Sequence, residues 1–151
     1  MKFSTKTRYG LRAMLEIALN HAEGGIFQKD ISVNQEISNK YLDHIIHALK
    51  VAQLITKKGK KGGYILARDP SDISVYDINN AFEPGICVIE CLEKSNNCSR
   101  ETGCRVKGFW SKLNNIIIAY LKSTTLEDLV YKRIVIDDFN FTPKELEELQ
   151  K

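Results

Sequence analysis

The stretch LITKKGKKGGYILA, residues 54 to 67, constrains the fold most strongly. Two β-prone runs, 54–56 and 64–66, flank a tip of glycine and lysine, and this pattern predicts a two-stranded hairpin. The tip is basic, because Lys57, Lys58, Lys60 and Lys61 occur with no acidic residue among them. By itself such a loop is explained equally well as a solvated turn. Whether its lysines have a binding role therefore has to be judged together with the elements that precede it.

Three helices are predicted ahead of the hairpin. Apolar residues recur with helical spacing from Thr5 to about Ala22, a short helix follows at about 28–34, and Ser38 is a good N-cap for a third. The predicted apolar faces of the first and third helices are Leu11, Met14, Leu15, Ala18, Leu42, Ile45, Ile46 and Leu49.

Three helices followed by a basic hairpin are the order of a winged helix-turn-helix, in which the third helix enters the major groove of DNA. The fold class predicted is mainly α with a small β-wing. Asp43 could accept a hydrogen bond from a cytosine amino group, and Gln28 and Lys29 are suited to phosphate. Gly59, Gly62 and Gly63 would let the wing approach the duplex. The candidate DNA-binding residues are Gln28, Ser38, Asn39, Lys40, Tyr41, Asp43, His44, Lys58, Lys60 and Lys61.

Further helices are predicted after the hairpin. Ser74 and Asp77 form a capping box for one, and a long helix begins after Cys104 and ends near Ser123, before a short helix at 125–131. The wide apolar seam of the long helix favours pairing with a second subunit over packing on its own domain. Thr142 would cap a last, solvated helix. The seam comprises Val106, Phe109, Trp110, Leu113, Ile116, Ile117, Tyr120 and Leu121.

Three cysteines, Cys91, Cys98 and Cys104, are spaced C-x6-C-x5-C. Zinc sites usually show C-x2-C pairs, so this wider spacing favours an iron-sulfur cluster. Nearby cations (Lys94, Arg100, Arg105, Lys107) would lower the thiol pKa values, and Asn96-Asn97 would form a turn before Cys98. Cys87 lies in an apolar run and is expected to be a buried thiol rather than a ligand.

The landmarks MKFSTKTRYGLRAMLEIALN, ISNKYLDHIIHALK, GKKGGYIL, ECLEKSNNCSRETGC and FW…TTLEDLV occur in one order over roughly residues 1 to 130. In them the chain resembles the IscR/NsrR/CymR-type winged-helix transcriptional regulators. The resemblance implies a homodimer that binds palindromic promoter DNA, with Cys91, Cys98 and Cys104 as cluster ligands. A [2Fe-2S] cluster is favoured and [4Fe-4S] is the alternative.

The chain departs from that family at three positions. Lys107 stands where IscR-like members have a histidine ligand, and Arg8 stands where NsrR-like members have a ligating aspartate. The fourth ligand is therefore unassigned among Glu90, Cys87, a carboxylate of the other subunit and a small molecule. Glu36 stands where the family commonly has glycine, so we expect a strained turn or one centred on Asn34.

Composition bounds the remaining alternatives. The net charge is only +3, and no signal peptide or membrane-spanning run is evident, so we expect a cytoplasmic protein without a membrane partner. No catalytic constellation stands out, which argues against an enzyme. Two other functions stay open, a thiol or zinc switch on the same DNA-binding fold and a protein controlled by binding a metabolic enzyme.

The predicted units are a DNA-binding domain at 1–84, a cluster-binding loop at 85–104, a dimerisation helix and short helix at 105–131, and a polar tail at 132–151.

Overall fold

The computed structural model describes residues 2–92, 98–99 and 102–134. It confirms a mainly helical fold with a small two-stranded antiparallel sheet. The predictions for Lys94, Asn96, Asn97 and Arg100, for the helix after Thr142 and for most of the polar tail concern residues outside the described ranges. In chain order the elements are α1 (Thr5–Leu19), α2 (Gln28–Gln35), α3 (Asn39–Val51), β1 (Ile55–Lys57), β2 (Tyr64–Leu66), a 3-10 turn (Pro70–Asp72), α4 (Val75–Asn80), a second 3-10 turn (Glu90–Leu92), α5 (Lys107–Ser123) and α6 (Leu126–Val130).

Helix α1 forms the centre of the core. Its buried stripe is Gly10, Ala13, Met14 and Ile17, whereas the predicted Leu11, Leu15 and Ala18 are only half-buried. Gly10 has to be glycine because a Cβ there would overlap the ring of Phe82. The helix ends at Leu19, earlier than predicted, where the Asn20 side chain donates to the Glu16 carbonyl at 2.8 Å and closes the last turn.

Helix α2 ends at Gln35 and is followed by Glu36, which adopts the left-handed conformation at φ 53° and ψ 45°. The Ile37 N–H donates to the Ser32 carbonyl at 3.1 Å, which gives the Schellman pattern, and Ile37 is buried. The strain expected from Glu36 is therefore present. The alternative of a turn centred on Asn34 is wrong, because Asn34 lies inside α2.

Helix α3 and the hairpin follow the prediction closely. The Ser38 hydroxyl accepts from the Tyr41 N–H at 3.2 Å and caps α3, and the predicted stripe of Leu42, Ile45, Ile46 and Leu49 is buried. The strands pair with Lys57 opposite Tyr64, and Ile26 forms an additional antiparallel bridge to Tyr64. The wing is thus anchored on the segment that precedes α2.

Helices α4 and α6 begin side by side. Each starts with a capping box, Ser74 with Asp77 and Thr125 with Asp128. Residues 73–75 and 124–126 also pair, through Val75 N–H to the Thr124 carbonyl at 2.9 Å and Leu126 N–H to the Ile73 carbonyl at 2.8 Å. Leu126 is fully buried, so the chain returns after α5 to the core built by α1. Hydrogen bonds donated by the hydroxyl and then the backbone of Thr125 lower the pKa of Asp128.

Helix α5 packs on α4 but leaves much of its apolar seam uncovered within one chain. Only Asn114 and Leu121 are buried along its length. Phe109 is 62% exposed and Val106, just before the helix, is 57% exposed. Phe109 contacts the Trp110 ring edge-on, with ring centroids 4.9 Å apart. Among the described residues no helix is long and apolar enough to cross a membrane.

Replacing Glu36 by glycine should stabilise the protein. Glycine removes the Cβ clash of the left-handed conformation, although it loses more backbone entropy on folding, so we expect a net gain of about 0.5–1 kcal/mol in the free energy of unfolding. Urea unfolding at one fixed protein concentration measures the change.

The matched controls are Glu36→Ala, which keeps the Cβ, and Glu23→Gly, at an exposed position outside the left-handed region. Neither control should be stabilising. A gain for Glu36→Ala equal to that for Glu36→Gly would show that strain at this turn is not the cause.

Candidate DNA interface and cysteine segment

The polar face of α3 is open to solvent. Ser38, Asn39, Lys40, Asp43 and His44 are all exposed, opposite the buried apolar stripe. These side chains include donors of several kinds and one carboxylate acceptor, which are the groups that read base edges and hold phosphates. The face therefore has the composition and exposure of a DNA-reading surface.

Gln28, for which a phosphate contact is predicted, bonds to α3 in the structure. Its side-chain amide donates to the Asp43 carboxylate at 2.7 Å and to the Asn39 carbonyl at 3.2 Å. These bonds join the start of α2 to the first turns of α3. Gln28 therefore orients the one carboxylate on the α3 face, a contact between two helices that the sequence pattern did not reveal.

Tyr41 is half-buried and packs on α1. Its ring meets Tyr9 edge-on with centroids 5.5 Å apart, and the Arg12 guanidinium lies 5.4 Å from the centre of the Tyr9 ring. Arg12 also donates to the side chain of Gln35 at 2.8 Å and to its carbonyl, at the end of α2. Sequence analysis missed this group, which fixes both helices of the helix-turn-helix against α1.

Tyr64 connects the wing to α3. Partial burial and then the nearby Asp43 carboxylate raise the pKa of the Tyr64 phenol, which places Asp43 close to β2. The Lys57 ammonium lies 5.6 Å from the centre of the Tyr64 ring. The exposed face of α3 and the wing are therefore neighbours.

The wing tip exposes Lys58, Lys60 and Lys61. The Lys58 ammonium lies over the turn after α1, since a Cβ built on Gly24 would be 3.5 Å from it. Gly63 serves the fold, because a Cβ there would lie 2.7 Å from the backbone of Ile26. Glycine at this position therefore allows close packing of the hairpin on the Ile26 bridge, and its predicted part in the approach to DNA stays a prediction.

The predicted cluster ligands are accessible. Cys91, in the second 3-10 turn, and Cys98 are exposed, and Cys104 is partly buried. The four cysteines all lie within the described ranges and are not joined by disulfides. Within those ranges no group of three or more His, Cys, Asp or Glu side chains is gathered as a metal site. The structure thus presents three thiols in one segment without bringing them together.

Cys87 is partly buried rather than fully buried as expected. It belongs to the segment between α4 and the second 3-10 turn, and this segment is tied to α5 by a side chain. The Val88 N–H donates to the Asn114 Oδ1 at 2.9 Å, and Asn114 is 9% exposed. In the sequence, this contact is indicated only by Asn114 itself, a polar residue among the apolar residues of the long helix.

The positions at which the chain departs from its resemblance have local contacts. Arg8 donates to the Thr5 hydroxyl one turn earlier in α1, at 3.2 Å. Lys107 is the first residue of α5, and its N–H donates to the Cys104 carbonyl at 3.3 Å. Cys104 is therefore bonded directly to the first turn of α5.

Comparison with known proteins gives a consistent family. The model of the Rrf2 family, described as "Iron-dependent Transcriptional regulator", matches residues 3–132. Protein rrf2 of Nitratidesulfovibrio vulgaris is 37% identical over 131 residues, which are 86% of this chain and 87% of that protein. The HTH-type transcriptional regulator IscR of Photorhabdus laumondii is 33% identical over 138 residues, covering 91% of this chain and 84% of that one.

A solved structure agrees. CymR, the global cysteine regulator of B. subtilis, superposes with a TM-score of 0.72 at 34% identity, covering 87% of this chain and 97% of CymR. The named relatives are regulators of transcription and not enzymes, as the sequence predicted. This chain belongs to the Rrf2 family of transcriptional regulators.

Proposed function

We propose that this regulator acts in the cytoplasm as a homodimer that binds a palindromic promoter site and responds to an iron-sulfur cluster held by Cys91, Cys98 and Cys104. The observation that carries the DNA-binding part is the exposed α3 face, with Asp43 held by Gln28 at 2.7 Å beside the basic wing. A polar helix face flanked by a lysine-rich hairpin suits a major groove and its phosphates together.

On α3, Asp43 is the candidate for base discrimination. A carboxylate can accept from the cytosine amino group but not from guanine O6 or N7, which are themselves acceptors. Asn39, Lys40 and His44 are exposed on the same helix and supply donors. The bond from Gln28 reduces the entropy lost when Asp43 is fixed against a base.

A palindromic site requires two DNA-binding domains, one for each half-site. Helix α5 is the candidate element that joins them in a dimer. Its seam is too apolar to remain in water, with Phe109 and Val106 mostly exposed in one chain. A second copy of α5 would cover these side chains on both subunits at once, which is the arrangement of a two-fold interface.

Cys91, Cys98 and Cys104 are chemically suited to an iron-sulfur cluster, because cysteine thiolates are the ligands that such clusters prefer. A cluster would supply an iron centre whose oxidation state or integrity responds to redox conditions or nitric oxide. The chain's own contribution is at Cys104, whose carbonyl accepts from the first N–H of α5 at 3.3 Å. Any constraint on Cys104 therefore acts on the start of the proposed dimer helix.

A thiol or zinc switch is the second candidate. The exposure of Cys91 and Cys98 favours it, because accessible thiols react with oxidants without any metal. Both candidate functions use the same DNA-binding domain. They differ in whether the cysteines bind an iron-sulfur cluster, bind zinc or react as free thiols.

Removing wing charge should reduce the salt dependence of DNA binding. A binding site is first selected from a random duplex library, and affinity is then measured by fluorescence anisotropy over a series of salt concentrations. Lys60→Ala and Lys61→Ala should each lower the slope of log affinity against log salt by about one unit.

Lys112→Ala, which removes an exposed lysine on α5, is the control and should leave the slope unchanged. Equal slopes for the wing variants and the parent would contradict a phosphate-binding wing.

Loss of Asp43 or of its partner should relax sequence preference. Asp43→Ala should reduce discrimination at one base pair by about 1–3 kcal/mol, and Gln28→Ala should reduce it at that same position by less. Lys29→Ala, at the neighbouring exposed position, should weaken binding without changing preference. Affinities for all four base pairs at each site position measure the effect. A change produced by Gln28→Ala at a different base pair would contradict its proposed action through Asp43.

Replacing any one of Cys91, Cys98 and Cys104 by serine should abolish visible absorption and bound iron in anaerobically purified protein. Cys87→Ser is the matched control and should retain both, because Cys87 is expected to be a thiol of the apolar run rather than a ligand; loss of iron in this variant would instead identify Cys87 as the fourth ligand. Absorption spectra with iron, sulfide and zinc counts measure the outcome. A colourless parent that holds zinc, or a parent with neither metal but redox-dependent DNA binding, would favour the second candidate.

A further inference from the structure

A cavity of about 710 Å³ lies between α4, the segment after α4 and α5. Tyr76 and Asn79 of α4 line one side, Ile118 of α5 another, and Lys2 and Phe3 complete it from the N-terminal end of the chain. No residue of the candidate DNA interface contributes to the wall. Its size is in the range of pockets that hold small organic molecules.

The polar part of the wall is organised by hydrogen bonds. The Glu83 carboxylate accepts from the Ser4 N–H at 3.3 Å and the Thr7 hydroxyl at 3.1 Å through one oxygen, Oε2. Asn79, 1% exposed, donates to the Glu83 carbonyl at 3.1 Å. These bonds hold the carboxylate of Glu83, a residue that lines the cavity together with Phe3, Tyr76 and Ile118.

The walls carry both signs of charge beside an apolar surface. Lys2 supplies an ammonium and Glu83 a carboxylate, whereas Phe3, Tyr76 and Ile118 supply aromatic and aliphatic contacts. A purely apolar ligand would desolvate Glu83 without pairing it, which is unfavourable. A ligand with an apolar body, one carboxylate and one ammonium would satisfy both charges.

We propose that this cavity binds a free α-amino acid with an apolar or aromatic side chain. Lys2 pairs with the ligand carboxylate, Glu83 pairs with its ammonium, and the side chain lies against Phe3, Tyr76 and Ile118. The ligand is then an effector that binds without being coordinated by Cys91, Cys98 or Cys104.

The position of the cavity explains how an occupant would act. Cys87 and Leu92 line it, so one wall is the segment that leads into Cys91. That segment is bonded to α5 through Val88 and Asn114 at 2.9 Å. A bound molecule therefore contacts α4, residues 83–87 of the segment after α4, and the proposed dimer helix α5. Binding would stabilise the one arrangement of these three elements that forms the cavity.

Binding is tested on the full chain without DNA, by isothermal titration with L-phenylalanine and L-leucine. 3-Phenylpropionate, which lacks the ammonium, and phenethylamine, which lacks the carboxylate, are the matched probes. We expect saturable binding of both amino acids and at least about tenfold weaker binding of each matched probe. No saturable binding of either amino acid, or equal affinity for 3-phenylpropionate and L-phenylalanine, would overturn the assignment.

Two variants locate the site. Glu83→Gln keeps hydrogen-bonding atoms for Ser4 and Thr7 but removes the charge, and it should weaken amino-acid binding about tenfold. Ile118→Trp should block binding by filling the cavity. Glu23→Gln, at an exposed position away from the wall, is the control and should bind as the parent does.

Circular dichroism establishes that each variant is folded. Parent-like affinity in a folded Glu83→Gln or Ile118→Trp protein would exclude this cavity as the site. Because these measurements contain no DNA and no metal, their failure leaves the proposed DNA and cluster functions untouched.

Discussion

Burial of α1 against α3, the wing and α6 is the constraint on which the rest of the structure depends. Met14 and Ile17 of α1 and Leu42, Ile45 and Leu49 of α3 are fully buried, and each such side chain contributes about 1.5–3 kcal/mol. Because one face of α3 is committed to this core, its opposite face must point to solvent. The exposure of the candidate DNA-binding face of α3 therefore follows from the packing of its apolar face.

Elements with local signals were predictable from the sequence. Ser38 and Ser74 caps, the α3 stripe and the hairpin depend on contacts within a few residues, and the structure contains all of them. The buried stripe of α1 was less predictable, because Gly10 is selected by contact with Phe82, far away in the chain. The pairing of residues 73–75 with 124–126 was equally hard to predict, because it also depends on residues that are distant in the chain. Each capping sequence predicts the start of its own helix but not that the two starts lie side by side.

The site was predictable as a set of residue types but not as a set of contacts. Exposure of Asn39, Lys40 and His44 follows from helix periodicity, so it could be read from the sequence. The roles of Gln28 and Tyr41 could not, because a side chain on the polar face can bond to a neighbouring helix, as Gln28 does to Asp43. The spacing of Cys91, Cys98 and Cys104 likewise shows three thiols in one segment, but it does not determine where their side chains lie in space.

Asn114 joins α5 to residues 81–89, the segment between α4 and the second 3-10 turn. An amide on an otherwise apolar helix would be costly if it were unpaired, and its bond to the Val88 N–H removes that cost only while the cysteine segment lies against α5. Moving the segment away from α5 would break this bond. This hydrogen bond therefore links the segment that leads into the proposed cluster ligands to the proposed dimer helix.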